Sequence, residues 1–143
     1  DQQKRIAGSV GQVDLVPTLL DLSGSEIPDH LEGKSLRPVL RGEEDLSDND
    51  VFIQWNGMGD RNLGSPEINR MVSMPWRGVV TGDRWKLNLS PGDQCELYDL
   101  NNDPAELDNL FNKSEHIDRI CQMAARIRIW QDETGDNIPL PTV

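Results

Sequence analysis

Apolar positions recur along the chain with helical spacing at both ends and with alternating spacing between them. In the stretch Val13–Pro28, Leu15, Val16, Leu19, Leu20 and Leu22 follow Asp14, a good N-cap, and Pro17 falls in the first turn, where a missing N–H costs little. Gly24 supplies a left-handed stop and Pro28 prevents resumption. This helix is too apolar to be solvated all round. A second, shorter helix is expected at Ser35–Leu40, ending near Gly42.

The middle of the chain reads as strands. Val51–Trp55 is β-branched and aromatic, and a long loop is expected from Asn56 to Pro75. Loops of that length inside a compact domain are usually functional or disordered. Two strands then flank Thr81-Gly82-Asp83-Arg84, where Gly and Asp tolerate the positive φ of a tight hairpin. In the second strand Trp85, Leu87 and Leu89 alternate with polar neighbours, so one face should be buried. Glu96–Leu100 is a short last strand, and Asp103-Pro104 forces the next bend, after which Leu107 and Leu110 pin the turn to the core.

The chain closes on an amphipathic helix. Ser114 is its cap, Ile117, Ile120, Cys121, Ala124, Ile127 and Trp130 form one stripe, and Gly135 stops it. The fold class is therefore α+β: a small antiparallel sheet of about four strands, a long C-terminal packing helix and an apolar N-terminal helix. Residues 1–49 form a helical segment and residues 50–143 a sheet subdomain.

Composition narrows the function classes. The 143 residues carry 14 basic and 25 acidic side chains, a net charge of −11, which disfavours a nucleic-acid partner. No apolar run approaches the roughly 20 residues of a membrane span. The opening Asp1-Gln2-Gln3-Lys4-Arg5 is polar and lacks both a leader and an initiator Met, so the chain is expected to be cut from a longer protein. Two cysteines, Cys95 and Cys121, are expected to be free thiols, with one bridge as the alternative.

Candidate chemistry is sparse. The acidic loop Glu43–Asp50 lacks the alternating ligands, turn glycine and closing Glu of a calcium loop and reads as solvated. His30 and His116 lie far apart without a ligand partner, and His116 is expected on the exposed side of the last helix. Cys121 reads as core, and Cys95 has no neighbouring base in the sequence. Neither a phosphate-binding glycine loop nor a nucleophile elbow is present.

The order of the motifs adds to this. Asp14-Leu15, Pro17-Thr18-Leu19, Gly24, Gly33-Lys34-Ser35-Leu36 and Leu40-Arg41-Gly42 follow one another in register. Arg77 and Trp85-Lys86 come next, and then Glu96-Leu97-Tyr98-Asp99-Leu100, Asp103-Pro104, Glu106 and Asn109-Leu110. This series, from about residue 10 to about residue 135, resembles the C-terminal part of the formylglycine-dependent sulfatases, within the alkaline-phosphatase-like superfamily.

The resemblance implies a sulfuric ester hydrolase whose nucleophile and calcium site lie upstream. Neither Cys95 nor Cys121 sits in the family's Cys-x-(Pro or Ala)-x-Arg motif, and Asp48-Asn49 and Asp136-Asn137 stand in the wrong places for its metal ligands. No catalytic residue, metal ligand or cofactor is therefore expected in this fragment, which should be inactive alone. Calcium and formylglycine are expected of the full-length protein.

The implied partners are the missing catalytic domain, against which the first helix would pack, and a sulfated small molecule or carbohydrate. A periplasmic or secreted location follows from the same resemblance. The fragment is expected to self-associate through its uncovered helix, or that segment to be mobile. A phosphodiesterase or phosphonate hydrolase of the same superfamily, or a stand-alone binding module, are the alternatives. Within the loop and its neighbours, Trp55, Asn56, Arg61 and Arg77 are the candidate substrate-binding residues: Arg suits an anion, Asn hydroxyls, and Trp a ring face. The opposing reading makes Trp55 core and pairs Arg77 with a carboxylate.

Overall fold

A computed structural model describes residues 5–59 and 62–143. Their elements run in the order α1 (Leu15–Ser23), α2 (Arg37–Arg41), β1 (Val51–Trp55), α3 (Pro66–Ser73), β2 (Trp76–Val80), β3 (Trp85–Leu89), β4 (Glu96–Asp99) and α4 (Ile117–Thr134). The strands form one four-stranded sheet in the order β1-β2-β3-β4, every neighbour antiparallel.

Register sorts the side chains. Phe52, Val79, Leu87 and Leu97 stand abreast, and with Leu89 they face Ile120, Met123, Ala124 and Ile127 of α4 to make the main core. The opposite face carries Trp55 beside Trp76, and Gly78 between Ile53 and Asn88. A Cβ on Gly78 would overlap Oδ1 of Asn88, so the amide lies directly over the glycine backbone. That oxygen is buried without a hydrogen-bond partner among the described residues.

Helix α1 is fastened from its polar side. A Cβ on Gly33 would overlap the Val13 carbonyl oxygen. Lys34 N donates to Asp14 Oδ1 at 3.0 Å, Leu36 N to Thr18 Oγ1 at 2.9 Å, and Ser35 Oγ to Asp21 Oδ2 at 2.6 Å. Arg37 closes the series with an ion pair to Asp21 at 2.6 Å. The apolar residues point the other way: Val13, Leu15, Val16, Leu19 and Leu22 are 52–65% exposed. Asp14 thus does not cap α1 through its side chain; it is buried and takes the N–H groups of Gly11 and Lys34 instead.

Several further expectations are corrected. The expected loop Asn56–Pro75 contains α3, capped by Ser65 Oγ accepting from Ile68 N, with Pro66 at its first position. The second helix begins at Arg37 and extends to Arg41, later than Ser35–Leu40. In the hairpin the positive φ falls on Arg84, at 66°, not on Gly82 or Asp83. Gly82 is needed for space: a Cβ there would overlap the Ser47 carbonyl oxygen.

On the closing helix, Ser114 opens a 3-10 turn without a side-chain cap, and Ile117 and Cys121 are exposed. Met123 and Gln131 take inward positions with Ile120, Ala124 and Ile127. His116 is half-buried with its ring tilted on Trp85, not on the solvent side. Leu107 is 85% exposed. Asp103 Oδ2 accepts from Leu107 N and Asp108 N, which turns that side chain outward and leaves Leu110 and Phe111 on the core. Asn109 completes the turn, donating to Cys95 O and accepting from Leu97 N and Phe111 N.

Candidate functional site

The candidate residues gather at one end of the sheet, where β1 ends, β2 begins and β3 ends. Alternation along β1 and β2 splits them between the two faces.

On the face away from α4, Trp55 stands opposite Trp76. Its indole Nε1 donates to Val72 O at 3.2 Å, which leaves the ring face as the part free for contact. These two indoles, with Met71, Val72, Ser90, Asp93 and Gln94, line a cavity of about 380 Å³. The wall is held by close approaches. A Cβ on Gly57 would overlap the Ser73 carbonyl oxygen, and one on Gly92 would press on the Met74 side chain.

On the α4 face, Asn56 and Arg77 line a second cavity of about 400 Å³ with Glu32, Gln54, Trp130, Thr134, Asp136 and Ile138. Arg77 is 2% exposed. Its guanidinium grips Asp136 by two bonds, Nε to Oδ2 at 2.7 Å and NH2 to Oδ1 at 2.8 Å, and NH1 donates to the carbonyls of Trp55 and Trp76 at 2.9 Å each. Gln131 Nε2 adds a further donor to Asp136 at 2.8 Å. The Arg77 hydrogen bonds, with that of Gln131, pull the Asp136 carboxyl down to about 2. Trp130 stacks on Phe52, with ring centroids 5.2 Å apart and planes 8° from parallel.

Arg77 therefore does not present a free cation. It sets the spacing of β1 and β2 where the two tryptophans emerge. Asn56 is exposed at the rim, and Arg61 lies outside the described residues. The sheet brings together Trp55 and Trp76 on one side, and Asn56 and Arg77 on the other. Trp76, Asp93, Gln94, Trp130 and Asp136 were missed by sequence reasoning. Trp76 was within reach, since pairing the expected strands end to end places it opposite Trp55. Asp93, Gln94 and Asp136 carry no such signal, because turns bring them in.

Away from this end, Lys86 Nζ meets Glu106 Oε2 at 2.6 Å, and Tyr98 donates to Glu96 Oε1 at 3.1 Å. Burial, then the Glu96 charge, pushes the Tyr98 phenol up to about 12, so it is no acid at neutral pH. Burial also raises the Cys95 thiol, against the opposing Ser90 carbonyl contact and with the help of Glu96. Among the described residues, no three His, Cys, Asp or Glu side chains converge as metal ligands. Of the two Asp-Asn pairs, Asp136 is committed to Arg77 and Gln131, and Asn49 Nδ2 donates to Ser9 O at 2.8 Å.

Comparison with known proteins agrees with this architecture. The family model described as N-sulphoglucosamine sulphohydrolase, C-terminal, matches residues 1–133. The chain is 28% identical over 128 residues to an N-acetylglucosamine-6-O-sulfatase of Bacteroides thetaiotaomicron, covering 89% of this chain and 22% of the relative. It is 35% identical over 100 residues to a Delta 4,5-hexuronate-2-O-sulfatase of the same organism, covering 68% of this chain and 18% of the relative. Among solved structures, one bound to its substrate D-glucosamine-2-N,6-O-disulfate superposes with a TM-score of 0.68 at 27% identity, over 88% of this chain and 24% of that one. The phosphonate monoester hydrolase of Agrobacterium radiobacter superposes with a TM-score of 0.62 at 25% identity, over 84% of this chain and 24% of that one. The chain thus spans about a fifth to a quarter of these four proteins.

Proposed function

Because the chain belongs to the sulfatase family, as its C-terminal part, we propose that it is the closing subdomain of a sulfuric ester hydrolase acting on sulfated carbohydrate. The observation that carries this reading is the family match along nearly the whole chain, joined to relatives several times its length. The names of those relatives supply the substrate class.

The division of labour follows from the residues. Residues 1–49 join the catalytic domain, and the outward apolar side of α1 is the surface that packs on it. Residues 50–143 form the sheet subdomain beside the substrate cleft. The formylglycine nucleophile and the calcium of such an enzyme belong to the catalytic domain, and this chain alone turns over no substrate. Its own residues build a wall: Trp55 offers a ring face, Asn56 an amide at the rim, and Arg77 holds the ends of β1 and β2 in place. Arg61 is proposed, from its chemistry alone, as a residue that binds the anion. Among the described residues no helix is long and apolar enough to cross a membrane, and we place the enzyme in the periplasm or outside the cell.

The test is an assay of the longer protein and of the 143-residue chain on 6-O-sulfated N-acetylglucosamine and an aryl sulfate. Sulfate release by the longer protein alone is the expected result. A phosphonate monoester hydrolase reading has its own support in the Agrobacterium superposition. Hydrolysis of phosphonate monoesters without sulfate esters would replace the sulfatase assignment by that one.

A further inference from the structure

We propose that the cavity between the end of β1, helix α3 and the turn 90–94 is a subsite for an unsulfated hexose ring of an oligosaccharide. The proposal rests on the carbohydrate-sulfatase reading and adds to it a place and a chemistry.

The volume, about 380 Å³, lies within the range of small-molecule pockets, on the order of 300 to 1,000 Å³. Two of its lining residues are the indoles Trp55 and Trp76, directly opposite in register and therefore on the same side of the sheet. Trp55 has given its one donor to Val72 O, so what it offers a ligand is ring surface. The polar part of the lining is Ser90, Asp93 and Gln94. One Asp93 oxygen accepts from Gln94 N at 2.7 Å, which aims the carboxylate while leaving its second oxygen to accept from a ligand.

A hexose matches this division. Its C–H faces are apolar enough to lie on indole, and its hydroxyls both donate and accept. A sulfate group does not match. Among the described residues no Lys or Arg lines the cavity, and Asp93 repels an anion. The described lining therefore suits a neutral ring. The walls are preorganised, since the turn packs on the end of α3 where only glycine fits at position 92, and β1 runs on past Ser73 where only glycine fits at position 57.

The experiment is a titration of the isotopically labelled 143-residue chain with N,N′-diacetylchitobiose, an unsulfated disaccharide, read in the indole N–H signals of its four tryptophans. The signals of Trp55 and Trp76 should move while those of Trp85 and Trp130 stay. Trp76→Ala should weaken binding about tenfold, and Asp93→Ala, at an exposed position, should weaken it several-fold with an unchanged fold. Should Trp76→Ala not fold, the signal shifts and Asp93→Ala decide. Stationary indole signals, or affinity unchanged by Asp93→Ala and by a folded Trp76→Ala, would overturn the proposal. So would binding of only the 6-O-sulfated sugar, or preference for 2-naphthol over the disaccharide. Binding is read without hydrolysis, so a chain that takes the disaccharide, within a longer protein that cleaves no sulfate ester, keeps the subsite and removes the sulfatase reading.

Discussion

Arg77 and Asp136 are separated by 59 positions in the chain and meet in a two-bond fork at 2.7 and 2.8 Å, with the Arg side chain 2% exposed. The fork ties the start of β2 to the residue just past α4, across the end of the sheet that carries both cavities. Removing the carboxylate strands a buried guanidinium. Asp136→Asn should lower stability by about 3 kcal/mol, measured by urea unfolding at neutral pH. A loss within error of zero would show that Arg77 finds water there.

The same pair sets an acid limit. The Asp136 carboxyl is lowered from 3.8 to about 2, chiefly by its hydrogen bonds from Arg77. Its stabilising contribution is therefore fully present above pH 4 and lost as pH falls towards 2, about 2 kcal/mol in all. The stability of Asp136→Asn should fall less steeply across that window than that of the parent chain. Parallel curves would remove Asp136 as the cause.

Tyr98 gives the opposite limit. It is the chain's one tyrosine, so its phenolate absorbance is unambiguous. With the phenol pushed up to about 12 from 10.0, the neutral form is favoured by folding, and this contribution is lost as pH rises from 10 towards 12. Alkaline titration of the folded chain should show no phenolate at pH 10. Half-titration there would mean that the sheet face over Tyr98 is open to water.

The two thiols should separate in reactivity. Cys121 is exposed and Cys95 is half-buried with a raised pKa. Brief alkylation of the native chain followed by mass spectrometry should label Cys121 first and leave Cys95 until denaturant is added. Equal labelling would point to local opening of the turn that holds Cys95.

Leu19 tests the outward face of α1. It is 65% exposed, so Leu19→Ser should change the stability of the isolated chain by less than about 0.5 kcal/mol. It should also reduce self-association in sedimentation experiments, and in the longer protein it should lower yield or melting temperature. Unaltered behaviour in both settings would leave this face without a partner.

The sheet was legible because Trp85, Leu87 and Leu89 alternate and because the hairpin residues leave little choice of register. The helix at Pro66 was concealed by the glycines before it. Its cap, Ser65 followed by Pro66, is a recognisable signal that the length of the surrounding polar stretch outweighed. Ile117 and Cys121 were misplaced because the buried face of α4 is centred on Ile120, Ala124, Ile127 and Gln131, which leaves those two on its exposed flank. Of the site, Trp55 and Asn56 could be read from position, but Arg77 could be read in either of two ways. Only the fold shows that its partner is Asp136, since nothing in the local sequence of either residue indicates the other.

The strap from Gly33 to Arg37 engages α1 through Asp14, Thr18 and Asp21, the residues that an ordinary surface helix would turn to solvent. With its hydrogen-bonding side used inward, the helix has its leucines outward and cannot roll over to hide them without breaking the strap. If a neighbouring body covers that face, a substitution on the outward side of α1 should be felt in the neighbour before it is felt in the strap or the sheet.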